Sequence, residues 1–539
     1  MKPLRVLLVS VHHPELVRGG AQQVCYELFE GLKEHPDFEP VLLAAIDDSD
    51  PALYRTGARI TGFDGRPDEY LFLGRDYDYF WHKTTNPLLT ESFAEFLTLT
   101  RPDVVHFHHF MNLGVDLLTL TRRVLPDCRI VFTFHEFLSI CHAYGQMVRT
   151  VDSSLCTHAS AVRCHQCFPD QAPETFFIRK KWFQEHLRAV DLFTVPSRFM
   201  IKAYADWGLP AERIKHVSNG QRNYSAGAIA EEPRERRNRF GFFGQLVDGK
   251  GVTVLLRAAG LLRAQGFTDF VVEINGDNLR YASDGGRAAF EEFRAAEAAL
   301  PVERRNVTFN GPYQVDRLPR LMSRIDWCVV PSVWWEVFGL VISEAWMFRR
   351  PVIASDVGGM AERVQHEIGG LLFPMGDARA LRLPPPCTAP APRSGCGIAW
   401  SQGYPSRRRG RRWWRRSAAF TAARWRSRKQ SGGMNSTLRR AEFYSAFSHP
   451  LVDHALVTVA YLSRRASPPT CYRLASRSAT MLTLLIIILI LLFLFGGGGY
   501  YGYRRQYYGN GGFGILGLIL IIVLIAVIFG GPGWGWYHY

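Results

Sequence analysis

Pro331-Ser332-Val333-Trp334-Trp335-Glu336-Val337-Phe338-Gly339-Leu340-Val341-Ile342-Ser343-Glu344-Ala345 carries two carboxylates on either side of a glycine turn. It follows Asp326-Trp327-Cys328-Val329-Val330, an apolar run short enough to be one buried strand. Phe338-Gly339 then opens an apolar helix over residues 340–348. Glu336 therefore lies on the loop before the helix and Glu344 inside it, eight positions apart. A helix N-terminus has free backbone N–H groups and a partial positive charge, which suits the phosphate-bearing end of a ligand. A carboxylate beside it suits sugar hydroxyls, because it accepts their hydrogen bonds without taking the anion's place.

This pair of Glu, with Phe338-Gly339-Leu340 between them, resembles the signature of retaining glycosyltransferases of family 4, which have the GT-B fold. The resemblance implies an α/β architecture of two Rossmann-like domains facing a cleft. It implies that Glu336 sits at the donor sugar and Glu344 at the nucleotide ribose, with Phe338, Gly339 and Leu340 beside the donor. A capping Glu followed by an incidental, partly buried one would look the same in isolation. The rest of the chain decides between the two.

Upstream, Arg239-Phe240-Gly241-Phe242-Phe243 reads as a strand. Gly244-Gln245-Leu246-Val247-Asp248-Gly249-Lys250-Gly251 is then a glycine loop before a helix over residues 252–263. A Lys at that helix start reaches a diphosphate as a point charge while the helix N–H groups contact it. The family pattern has an Arg where Gln245 stands here. One cation is lost, so donor binding rests on Lys250, with Gln245 still able to donate a hydrogen bond. A solvated loop Lys is the bland alternative. Further strands are expected at residues 270–277, 307–311, 351–357 and 370–374, with Gly358-Gly359 suited to backbone contact near the nucleotide.

The N-terminal half repeats the scheme. Residues 4–11 are a β-branched and leucine run, a buried parallel strand. It leads through His12-His13-Pro14-Glu15-Leu16-Val17-Arg18-Gly19-Gly20 into helical periodicity over 21–33. The resemblance places Gly19 and Gly20 under the donor phosphates and near the acceptor, against the reading of an ordinary turn. Pro102-Asp103-Val104-Val105-His106-Phe107-His108-His109 and Phe132-Thr133-Phe134-His135-Glu136 are strands ending in polar rims, where open α/β sheets bind ligands. Family 4 proteins often carry a His at the second of these, in contact with the reacting sugar. His135 is thus the functional histidine, against a satisfied rim residue, and His106 and His109 compete for the remaining roles.

Cys141, Cys156, Cys164 and Cys167 fall in a polar, poorly periodic segment, the last two as Cys-x2-Cys. That spacing closes one side of a tetrahedral thiolate site, so a structural zinc is expected, with His158 or His165 able to replace one Cys. Free thiols, a redox pair or an iron–sulfur centre are the alternatives. Four thiolates leave no open position, so such a metal would be structural. Catalysis is expected to need no cofactor, with Lys250 stabilising the leaving diphosphate.

The whole chain carries +15, but the charge is unevenly placed. Residues 382–539 hold 21 Lys and Arg against Glu442 and Asp453, and residues 1–381 hold 43 basic against 47 acidic groups. The globular part is nearly neutral, and no nucleic-acid partner is expected. The N-terminus shows no signal peptide. The family's C-terminal crossing helix stops at Arg382-Leu383-Pro384-Pro385-Pro386. Residues 378–441 contain no acidic group, and Arg407-Arg408-Arg409-Gly410-Arg411-Arg412-Trp413-Trp414-Arg415-Arg416 resembles an out-of-frame translation more than a lipid- or nucleic-acid-binding patch. Two apolar runs, 481–495 and 513–529, with aromatic and basic flanks, read as a two-span membrane hairpin.

The expected organisation is an acceptor-side domain (1–225, with the Cys-rich insertion 141–167), a linker (226–237), and a nucleotide-sugar-binding domain (238–381). A basic segment (382–480) and the hairpin (481–530) follow. The expected reaction is transfer of a sugar from a nucleoside diphosphate sugar to the hydroxyl of a glycan or lipid-linked acceptor with retention, in polysaccharide or glycoconjugate synthesis. Its setting would be cytoplasmic, or on the inner membrane if the tail is real. Another GT-B enzyme such as a nucleotide-sugar epimerase, or an inactive membrane-tethered scaffold, are the rivals.

Overall fold

Strand β1 (Leu4–Ser10) has no polar face, and its two apolar sides go to different cores. Leu7 and Val9 pack with Phe107, Ile130 and Phe193, whereas Val6 and Leu8 pack with Leu28, Phe29 and Leu42. A sheet covered on both faces requires such a continuous run. In this computed structural model the described residues are 2–46, 58–221, 236–367, 369–381 and, for the backbone alone, 387–388. The chain divides into two compact units, Met1–Leu462 and Ser463–Tyr539, and both major sheets belong to the first.

The first sheet takes in β2 (Phe38–Ile46), β3 (Ile60–Phe63), β4 (Arg66–Leu73), β7 (Val104–Phe107), β8 (Arg129–Thr133), β9 (Leu192–Val195) and β10 (Ile214–His216). Between β4 and β7 a small antiparallel ribbon pairs β5 (Tyr77–Asp78) with β6 (Lys83–Thr84). The sheet order is β10-β9-β8-β7-β1-β2-β4-β3, parallel except for the β3–β4 hairpin. Helices α1 (Gly20–Lys33), α2 (Pro87–Thr100), α3 (Asp116–Val124), α4 (Ala161–Cys167), α5 (Pro173–Leu187) and α6 (Arg198–Trp207) accompany it.

After a short pairing of β11 (Arg236–Arg237) with the later β18 (Cys387–Thr388), a second sheet is built from β12 (Arg239–Phe243), β13 (Val271–Asn275), β14 (Val307–Gly311), β15 (Trp327–Val330), β16 (Val352–Ser355) and β17 (Gly370–Phe373). Its order is β14-β13-β12-β15-β16-β17, parallel throughout. Its helices are α7 (Val252–Ala264), α8 (Asp284–Ala298), α9 (Leu318–Ser323), α10 (Leu340–Met347) and α11 (Gly358–Arg363). The same two-core logic holds here: Phe240, Phe242 and Val329 enter one cluster, Phe243, Cys328 and Val330 the other. In each sheet the strand order reverses beside the first strand, between β2 and β7 around β1 and between β13 and β15 around β12. Loops at the carboxyl ends there are where such sheets bind ligands.

The α/β, doubly Rossmann-like expectation matches this architecture. Most of the expected linker, the basic segment and the expected hairpin lie outside the described residues. Among the described residues no helix is long and apolar enough to cross a membrane.

Candidate active site

Glu336 is carried on the loop between β15 and α10, and three donors converge on its Oε2. Lys250 Nζ lies at 2.7 Å, Trp334 Nε1 at 3.1 Å and Ser332 Oγ at 3.5 Å. Burial pushes this carboxyl up. The charge and hydrogen bond of Lys250, with those of Trp334 and Ser332, outweigh burial and hold it below the usual carboxylate range. Lys250 also sits 4.9 Å from the centre of the Trp334 ring. The backbone makes room for this contact with glycine. Gly251 has φ 69° and a Cβ there would run into the Pro331 carbonyl. Gly358, at φ 55°, would place a Cβ 2.6 Å from the Glu336 carbonyl, to which the Gly359 N–H donates at 2.7 Å.

Gly339, with φ 71°, ends the loop and starts α10. Arg363 braces that turn: Nη1 donates to the carbonyls of Phe338 at 2.7 Å and Gly339 at 2.8 Å. Its guanidinium lies 3.7 Å from the Phe338 ring centre, and burial lowers its pKa to about 9, with Glu336 opposing. Phe338 is buried against this cation, so its side chain shapes the loop. Glu344 lies one turn further along α10. Its carboxyl is pushed up to about 7 by burial and, second, by Glu27 of α1 in the other lobe. Gly20, at the start of α1, is close enough to Leu340 that a Cβ would lie 3.3 Å from Leu340 Cδ1. Gly19 is the extended residue preceding that helix. Gln245 is exposed on the loop after β12.

At the carboxyl ends of β7 and β8, histidines pair with the neighbouring strand. His106 Nε2 is 2.7 Å from Thr133 Oγ1, which meets Thr194 Oγ1 at 2.6 Å. His108 Nδ1 is 3.0 Å from His135 Nε2. His109 Nδ1 accepts the N–H groups of Phe110 and Met111 at 3.1 and 2.9 Å, so its proton is on Nε2, 3.4 Å from Glu136 Oε1. Burial lowers the His109 pKa to about 3 and raises that of Glu136 to about 8.

The two lobes touch beside this site. Trp335 Nε1 donates to the Cys156 carbonyl at 3.1 Å, and its ring stacks on Phe199 at 5.9 Å. Glu362 accepts the N–H groups of Arg198 and Phe199 at 2.8 and 2.5 Å, capping α6 from the opposite lobe. His108, Trp334, Glu362 and Arg363 are the residues that sequence reasoning missed. Trp334 lay inside the signature stretch and Glu362-Arg363 just past Gly358-Gly359, but nothing in their spacing marks what they touch.

The structure gives the expected zinc no support. Cys141, Cys156, Cys164 and Cys167 do line one small cavity, with His142, Arg149 and Arg163. All four are free thiols, and among the described residues no group of three or more His, Cys, Asp or Glu side chains is placed to hold a metal ion. Burial raises the pKa of Cys141, and that of Cys164 to about 11, and Cys156 Sγ donates to the His158 carbonyl at 3.2 Å. His165 Nδ1 is 2.8 Å from the Gln171 carbonyl.

Residues 18–221 match the family described as Glycosyltransferase Family 4, and residues 237–382 that described as Glycosyl transferases group 1. The chain is thus a glycosyltransferase family 4-like protein. The glycosyltransferase is 28% identical over 381 residues to an uncharacterized glycosyltransferase of Methanocaldococcus jannaschii, covering 68% of this chain and 84% of that one. A D-inositol 3-phosphate glycosyltransferase of Mycobacterium sp. (strain KMS) is 33% identical over 271 residues, or 50% of this chain and 55% of its own length. Among solved structures, sucrose-phosphate synthase from Thermosynechococcus elongatus aligns with TM-score 0.50 at 20% identity, over 70% of this chain and 88% of that chain, a likeness of fold. Residues 481–537 of the glycosyltransferase match a protein of unknown function, DUF3309.

Proposed function

We propose that this enzyme transfers a sugar from a nucleoside diphosphate sugar to an acceptor hydroxyl with retention of configuration. The reading rests on one observation, the Lys250–Glu336 pair at the switch point of the second sheet. An ammonium just before the N-terminus of α7 offers a diphosphate a cation and free backbone N–H groups together. As the sugar–phosphate bond breaks, Lys250 takes the growing charge on the leaving diphosphate. Glu336 then accepts hydroxyls of the sugar, and Glu344 those of the ribose. His135, from the first sheet, orients the sugar or the attacking hydroxyl. Because Glu336 already accepts three hydrogen bonds, it suits charge stabilisation better than nucleophilic attack, which favours substitution on one face over double displacement.

We take the first sheet as the acceptor side, and a glycan or lipid-linked hydroxyl, in polysaccharide or glycoconjugate synthesis, as the acceptor class. The test is nucleoside diphosphate release from UDP-, GDP- and ADP-sugars by wild type and Glu344→Ala, with product analysis. Release from one donor, lost in the variant and yielding a new α-linked glycoside from an α-linked donor, is expected. An isomerised donor without any new glycoside would instead point to an epimerase.

A further inference from the structure

The end of β7 carries three imidazoles in four residues, and only their partners tell them apart. His106 is tied into the sheet through Thr133 and Thr194. His109 is held by two backbone N–H groups and faces Glu136. His108 reaches His135, with Nδ1 at 3.0 Å from Nε2, ring centroids 5.2 Å apart and planes inclined by 22°. We propose that His108 is a positioning residue that sets the tautomer and ring orientation of His135 for the transfer reaction. The proposal rests on the reading above that His135 meets the sugar or the attacking hydroxyl.

An N···N hydrogen bond needs one N–H and one lone pair, so the two rings cannot both be imidazolium. His108 is 1% exposed, so its ring is enclosed by the fold. The tautomer in which His108 is held dictates whether His135 Nε2 gives or receives the shared proton. That in turn fixes the tautomer of His135, and so whether its other nitrogen can donate to a hydroxyl or accept from one. An imidazole without this partner exchanges tautomers and can turn about χ2, and a reacting hydroxyl then meets the wrong nitrogen for part of the time. The adjacent His106 ring, 4.3 Å from that of His108 and anchored on Thr133, limits the movement of His108 itself.

The experiment uses the full chain labelled with 15N-histidine, as wild type, His108→Leu, His108→Asn, His108→Gln and His135→Asn. The imidazole resonances of His135 are those absent from His135→Asn. Wild type should show His135 in one dominant tautomer and His108→Leu a mixture. Turnover of whichever of UDP-, GDP- or ADP-glucose the enzyme cleaves fastest should fall roughly 10- to 100-fold in kcat in His108→Leu, with donor KM nearly unchanged. The Asn amide lies near the position of Nδ1 and the Gln amide near that of Nε2, so Asn should restore much of the rate and Gln little. An unchanged tautomer in His108→Leu, or equal rates in the Asn and Gln variants, overturns the proposal, and the Asn–Gln comparison still decides it should the Leu variant misfold. If His135→Asn itself keeps full kcat, what falls is the assignment of His135, a result separable from failure of the His108 contact.

Discussion

A carboxylate only 8% exposed stays charged while a cation touches it, and Lys250 is hydrogen-bonded to Glu336. Lys250→Met should therefore cost roughly 1–3 kcal/mol in urea unfolding, at the low end for a broken pair because Lys250 is partly open to water. Glu336 has a depressed pKa, so its contribution is present above the ordinary Glu value of about 4.3 and disappears as the pH falls through the folded value. The gap between wild type and Lys250→Met should accordingly narrow in acid; an equal gap at pH 4 and pH 7 would contradict the pairing. Glu344 has the opposite sign. Its pKa is raised to about 7, so the folded state is favoured by protonation, and this contribution is lost as the pH rises from about 4.3 through 7. Glu344→Gln should raise Tm by several degrees at pH 8 and barely at pH 4, while weakening nucleotide binding. A variant stabilised equally at both values would show that Glu344 is not the strained group. These opposite signs come from what folding puts around each carboxyl, burial and then Glu27 for Glu344, and Lys250 outweighing burial for Glu336. The spacing of the two Glu is legible in the sequence, and their electrostatics are not.

At the scale of elements, α6 shows what a helix gains from another part of the chain. Ser197 precedes it without a side-chain cap, and the carboxylate of Glu362, from α11, accepts its first N–H groups instead. Glu362→Ala removes a cap worth about 1 kcal/mol and one of the contacts joining the lobes. We expect a lowered Tm, together with a fall in kcat for transfer that Glu362→Gln partly restores, as measured by thermal melting and steady-state kinetics. Loss of stability with an unchanged kcat would confine Glu362 to a capping role. Strands and helices were largely readable, because β1, β12 and β15 are mostly apolar and α1 and α7 follow glycine turns. The β3–β4 hairpin escapes such a reading although Asp64-Gly65, both at positive φ, marks its turn. The following Arg66-Pro67-Asp68-Glu69 looks like loop, and pairing makes it strand, Arg66 with Phe63 of β3 and Glu69 with Leu42 of β2. The cysteines illustrate the converse. Their spacing correctly brings them to one cavity, but ligand geometry depends on backbone paths that spacing does not encode.

Across the whole molecule, the two sheets present different chemistry to the proposed reaction. The second supplies a Lys, two Glu and a helix N-terminus, all suited to a nucleoside diphosphate. The first supplies histidines and a protonatable Glu136, suited to hydroxyls. If that division holds, nucleotide binding and transfer must respond to different substitutions. A ligand at about 100 times its Kd stabilises the state that binds it by about 2.7 kcal/mol. The nucleoside diphosphate released by the active donor should thus raise the melting temperature of wild type, His135→Asn and Glu362→Ala alike. The same addition should do little for Lys250→Met and Glu344→Ala, because the diphosphate loses its cation in one and the ribose its acceptor in the other. Transfer should be lost or slowed in all four. The reverse pattern, with stabilisation surviving in Lys250→Met and disappearing in His135→Asn, would put the nucleotide on the first sheet and exchange the roles of the lobes. Stabilisation surviving in every variant would detach the nucleotide from both, and with it the reading of Lys250 as the cation that receives the leaving group.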